Sequence, residues 1–141
     1  MASANFTKLT DYLATGAINL NTATYKCMLV SAVPSEANLD AWLVRSDVST
    51  EVTGTAYTAG GVAVTGTYAW DTTNNRSSLT FTNLAPGWTS STITALGAII
   101  YQNVGTAGTD RLITFVDFLG TVSSTAGTFS VTFSAPLYLN R

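Results

Sequence analysis

At 141 residues, with 46 % hydrophobic and 11 % aromatic residues, the chain is long enough to bury a core without disulfides or metals and is unlike a disordered sequence. It has no histidine, one cysteine, a net charge of -2 and only 10 % charged residues, against roughly 25 % in an average soluble domain. Those absences exclude Ser-His-Asp and Cys-His relays and remove the usual zinc ligand, and six scattered basic residues form no patch for phosphates, so no nucleic-acid partner is expected.

In chain order, Phe6, Leu9 and Leu13 fall at i, i+3 and i+7 and predict a short amphipathic helix over about 5–15, with Asn5 or Ser3 as cap and Gly16 as terminator. The stretch Met1–Thr10 lacks the basic region and apolar run of a secretory signal, so synthesis in a reducing cytoplasm is expected. No apolar run approaches the ~18 residues of a membrane span. Tyr25–Val30 reads as a strand that ends before Pro34, and Cys27 within it as a small buried hydrophobe. Leu39, Trp42 and Leu43 share one face of a second short helix within Ser35–Arg45.

From Glu51 onward the period changes to two, with turn residues at roughly ten-residue spacing, the pattern of a sandwich or barrel. Strands are expected at Val62–Asp71, Ser77–Thr82, Thr92–Gln102, Arg111–Leu119, Thr128–Ser134 and Leu137–Leu139. Turns are expected at Thr72–Arg76, Ala85–Gly87, Asn103–Gly108 and Gly120–Gly127, making most neighbours antiparallel. Three strands are apolar on both faces: Tyr25, Cys27 and Leu29 against Met28 and Val30; Ala98 and Ile100 against Ile99 and Tyr101; Leu112, Val116 and Phe118 against Ile113, Phe115 and Leu119. Thr128–Ser134 instead alternates, with Phe129, Val131 and Phe133 inward and hydroxyls toward solvent. The two helices are the expected cover for the outer faces, with a neighbouring subunit as the alternative. Neither a repeat nor a linker is apparent, so residues 1–141 read as a single antiparallel β-sandwich domain, mainly β, with short N-terminal helices.

Candidate chemistry is sparse, and no catalytic, metal-binding or cofactor-binding residues are assigned. Asp40, Asp47 and Glu51 cluster around the second helix as a solvated face would, and Asp117 in an apolar strand should pair with an arginine. Asp71, Asn74 and Asn75 lack the spacing of a calcium loop and fit a hairpin turn. Trp42, Trp70 and Trp88 fit core packing better than a sugar platform. Gly54–Gly61 lacks the Gly-Lys-Ser/Thr ending of a phosphate loop; its paired glycines read as a positive-φ turn feeding a strand.

The segments Gly16-Ala-Ile-Asn-Leu20, Tyr25-Lys-Cys-Met-Leu-Val30, Glu51-Val-Thr-Gly-Thr-Ala-Tyr-Thr-Ala-Gly-Gly61, Leu96-Gly-Ala-Ile-Ile-Tyr101 and Ile113-Thr-Phe-Val-Asp-Phe118 together resemble small tailed-bacteriophage virion proteins. Some of these resemble capsid cement, or decoration, proteins with a jelly-roll sandwich. The resemblance implies a jelly-roll-like fold and a noncatalytic homo-oligomer on the capsid surface of the virion. Its partners would be the major capsid protein and copies of itself, with no membrane, no small-molecule substrate and no cofactor. Tyr57, Gly60 and Gly61 are the expected contact residues if they sit at an exposed loop tip. A tail or neck component is the alternative, and a glycan-binding module a more distant one.

Overall fold

The structure, a computed structural model, describes residues 3–139. Its elements are β1 (Ala4–Asn5), α1 (Leu9–Ala14), β2 (Tyr25–Val30), α2 (Glu36–Ala41), a 3-10 turn at Arg45–Asp47, β3 (Val62–Val64), β4 (Gly66–Asp71), β5 (Arg76–Phe81), β6 (Leu84–Gln102), β7 (Leu112–Val131) and β8 (Leu137–Leu139). All pairings between these strands are antiparallel, in a five-stranded sheet of order β1-β7-β6-β2-β3 and a three-stranded sheet of order β4-β5-β8. The chain is therefore mainly β with two short helices, as the periodicity predicts.

Two apolar clusters flank the five-stranded sheet. Cys27, Leu29, Ala98, Ile100 and Ile113 on one face join Leu79 and Phe81 of β5, so this core ties the two sheets together. Met28, Val30, Ile99, Tyr101, Leu112 and Phe115 on the other face lie under Phe6 and Leu39, with Val33, Trp42 and Val48 at the margin. The two-sided strands are thus covered from within the chain, but of the two helices only α2 takes the outer face, beside Phe6; Leu9 and Tyr12 of α1 belong to the inter-sheet core. Ser35 caps α2 by accepting the Asn38 amide at 3.2 Å. Asn5 and Ser3 do not cap α1: the cap position is Lys8, and Asn5 is spent in β1. Gly16 does end that helix, at φ 74°.

Three departures from the expected strands share one cause, a local irregularity that a pattern of twos does not register. Val62–Asp71 is two strands, because the chain changes sheets at Thr65; a side chain at Gly66 would meet the Tyr25 ring at 2.6 Å, so glycine permits the crossing. Ala85–Gly87 and Gly120–Gly127 do not reverse the chain but lie within β6 and β7, which pair with each other from Tyr101↔Leu112 to Leu84↔Val131 through repeated register shifts. Turn-type residues here mark bulges. One bulge, between Ile100↔Thr114 and Tyr101↔Leu112, leaves Ile113 as the extra residue. It resets the faces, so Ile113 joins Val116 and Phe118 on the inter-sheet side while Leu112 and Phe115 face the other way.

Candidate interaction surface

Within Glu51–Gly61, Glu51, Tyr57 and Gly60 form a polar bolt against the five-stranded sheet, while Thr53–Ala56, Thr58 and Ala59 are exposed. The Tyr57 hydroxyl donates to Glu51 Oε1 at 2.8 Å and accepts the Leu29 amide at 3.1 Å, while the same Glu51 oxygen accepts the Gly60 amide. Tyr101 donates to the Gly60 carbonyl at 2.6 Å. Gly60 is buried, Tyr57 and Gly61 are partly buried, and the Tyr57 ring lies 5.8 Å from that of Trp88. Tyr57, Gly60 and Gly61 therefore do not stand at an exposed loop tip, the condition on which their expected contact role depends. The expected turn holds: Gly60 and Gly61 have φ of 90° and 71° and lead into β3.

Beside this bolt lies a group the sequence reading missed. Asp110 is fully buried; its Oδ2 accepts Arg45 Nε at 2.9 Å and its Oδ1 accepts the amides of Val104 and Gly105 at 2.8 and 3.1 Å. One carboxylate thus closes the β6–β7 hairpin loop and anchors the 3-10 turn. Burial opposes the charge on Arg45, but the Asp110 hydrogen bond, together with Tyr101 and the charges of Asp110 and Glu51, outweighs it and raises the guanidinium above its ordinary value. The other carboxylates serve separate local roles: Asp40 accepts from Thr7, Asp47 from the Leu43 and Val44 amides, Asp117 from the Leu119 amide. Asp71 accepts from Thr73, Asn74 and Arg76 in the β4–β5 hairpin, as a turn requires. Among the described residues, no three of Asp, Glu, Cys or His group as metal ligands would.

The tryptophans do not form a platform. Trp88 is in the core, 6.0 Å from Phe129, and Trp42 packs at the margin of the outer cluster. Trp70 departs from the expected core role, being 55 % exposed on β4, an edge strand of its sheet.

What the surface does present is the far half of the β6–β7 ribbon. No charged residue occurs between Arg76 and Asp110, or between Asp117 and Arg141, so β6, all of β7 beyond Asp117, and β8 are without charge. Hydroxyls pair across the ribbon instead, Thr94 with Ser123 at 2.9 Å on the exposed side and the buried Ser91 with Ser124 at 2.7 Å. This signal was readable in the sequence as two long uncharged blocks. At the bend, Ala95↔Val122 and Gly97↔Asp117 bracket a bulge in which Phe118–Thr121 stand opposite Leu96 alone. Leu119 at its crest has φ 59° and is 85 % exposed, against the expectation that it is buried. Natural strand edges are usually guarded by charge or proline. Between Phe118 and Ala135 this one has neither.

The buried titratable groups set a pH dependence. Burial pushes the Cys27 thiol from 9.0 up to about 12, and the Tyr25 and Tyr101 phenols from 10.0 up to about 12, Arg45 partly opposing the shift at Tyr101. Burial also raises Tyr57, against the Leu29 amide and with Glu51. Each group is neutral when protonated, so above pH 9.0 to 10.0 the unfolded chain loses protons that the folded chain keeps, and stability falls. Below that range the contribution is fully present, and no histidine titrates near neutrality. Urea midpoints should be level from about pH 6 to 8 and decline from about pH 9 upward; a midpoint that rises between pH 9 and 11 would contradict this assignment.

Comparison of the chain with family models, with curated proteins and with solved structures gives no match.

Proposed function

We propose that this chain is a noncatalytic structural protein of a tailed-bacteriophage virion, and within that class a capsid cement protein that binds over the head and stabilises it. The observation that carries the reading is the surface of β6, β7 and β8: extended, hydroxyl-rich, without charge beyond Asp117 and crested by an exposed leucine. Such a surface has nothing with which to transfer a proton, yet it lies against another protein without leaving charges buried. Weak contacts of this kind gain strongly when repeated over a lattice, because each bound neighbour raises the effective concentration of the next. The similarity of the segments from Gly16 to Phe118 to small phage virion proteins points the same way, with the major capsid protein and further copies of the chain as partners.

The test is quantitative. In purified particles of the phage that encodes the chain, the reading expects a copy number comparable with that of the capsid protein. A copy number equal to a small multiple of the tail symmetry would move the chain to the tail or neck, and absence from the particle would remove the virion assignment altogether.

A further inference from the structure

Residues 32–42, with α2 at their centre, lie over the outer face of the five-stranded sheet and are tied down at each end. At one end the Ser31 amide donates to the Thr50 carbonyl at 2.8 Å; at the other the Leu43 carbonyl accepts the Leu112 amide at 3.1 Å. Between these points, among the described residues, only Thr7 reaches the segment with hydrogen bonds from elsewhere in the chain. Its amide donates to the Leu39 carbonyl at 3.1 Å and its hydroxyl to Asp40 Oδ1 at 2.6 Å. Thr7 is itself well anchored, because the neighbouring Phe6 is buried and donates its amide to the Ile113 carbonyl at 3.1 Å. The remaining hold on the segment is apolar and small: Pro34 and Leu39 are buried, Val33 and Trp42 are partly buried, and most of α2 is exposed. A six-residue helix has little stability of its own, so α2 keeps its place only through these contacts.

We infer that residues 32–42 are a flap, hinged at Ser31 and Leu43 and caught by Thr7, which opens while the rest of the fold stays closed. Segments with few buried contacts open at lower free energy than the strands that carry the core. Opening breaks no strand pairing, because the segment belongs to neither sheet. It also spares the inter-sheet core, since Cys27, Leu29, Leu79 and Phe81 pack in the other cluster. What it uncovers is apolar: Met28, Val30, Ile99 and Leu112 lie on the covered face, each 0 % exposed in the closed molecule. The flap thus hides an apolar sheet face behind a catch made by one residue. Its opening is a property of the free chain, independent of any particle.

Thiol labelling of the purified chain tests this, because adjacent residues of β2 report the two faces. Cys27, the sole cysteine, packs in the inter-sheet core and Met28 under the flap, and both are fully buried. In native buffer, Met28→Cys in a Cys27→Ala background should react roughly tenfold faster than Cys27 of wild type, beyond any difference in global stability measured by urea. The introduced thiol should also show the weaker urea dependence, since opening the flap exposes less surface than unfolding does. Val30→Cys in the same background, a smaller change on the same face, gives a second reading should Met28→Cys fold poorly. Asp40→Ala removes the acceptor of the Thr7 hydroxyl and should speed labelling under the flap several-fold, whereas Asp40→Asn keeps a carbonyl oxygen there and should not. Labelling under the flap at the rate and urea dependence of global unfolding would overturn the inference, as would an Asp40→Ala variant that labels no faster.

Discussion

Gly61→Ala should unfold or nearly unfold the protein, lowering stability by on the order of 4 kcal/mol. A Cβ on Gly61 would sit 1.9 Å from the Cys27 carbonyl oxygen and 2.7 Å from the Met28 Cα, both backbone atoms of the buried central strand β2. No rotamer change relieves a clash with backbone, and φ of 71° adds the left-handed cost. Gly16→Ala separates the two contributions. Gly16 has a similar φ of 74° but nothing within 4 Å of the added carbon, so that variant should lose only about 1 kcal/mol. Urea denaturation of both variants checks the argument. Equal losses would mean that the 51–61 segment is not seated against β2 as described.

Asp110→Ala should cost about 3–5 kcal/mol, because it removes one partner of a buried ion pair and leaves three donors, Arg45 Nε and the Val104 and Gly105 amides, without their acceptor. For a chain of this size that corresponds to a fall in Tm of roughly 10–20 °C. Asp110→Asn retains one carbonyl oxygen for the loop amides and should lose clearly less. Salt provides a second readout. The Lys8–Asp11 pair is exposed on both sides and should contribute little and be screened, whereas Arg45–Asp110, with the carboxylate 1 % exposed, should keep its contribution as salt is added. An Asp110→Ala variant as stable as wild type would show that Arg45 and the hairpin loop do not depend on this carboxylate.

The legible parts of the fold were those set by local chemistry. Tyr25–Val30 and Leu137–Leu139 stand at the expected bounds, since each is a short apolar run between turn signals, and the Asp71–Arg76 hairpin follows from oxygens that cap their own turn. Two-sided burial of Cys27, Met28, Ile99 and Ile100 also followed from unbroken apolar runs. What the pattern missed depends on distant partners. Ala85–Gly87 and Gly120–Gly127 read as turns because glycine and proline serve bulges and turns alike, and only the register of the facing strand distinguishes them. Leu119 was expected inside because alternation places it with Ile113 and Phe115; the bulge at Ile113 and the four-residue bulge around Leu119 itself break that count. Asp110 sits in a loop whose composition says only that it is a loop. Its burial depends on Arg45, 65 residues earlier, reaching back to it.

The 51–61 segment shows the same limit from the other side. Its paired glycines predict a positive-φ turn and form one, but the direction of Tyr57 is not legible locally, because its hydroxyl partners, Glu51 and the Leu29 amide, come from the loop's own start and from β2. An aromatic residue between small ones can mark either a contact tip or an anchor. Here it is an anchor, and the exposed apolar crest lies on β7 instead.

The measurement that reaches the proposed virion role most directly is a density map of tailed-phage particles assembled in the presence of this chain. The account predicts density for the eight-stranded fold over the junctions between capsid subunits, with the uncharged half of the β6–β7 ribbon turned toward protein. A shell without that density, in particles otherwise complete, would contradict it.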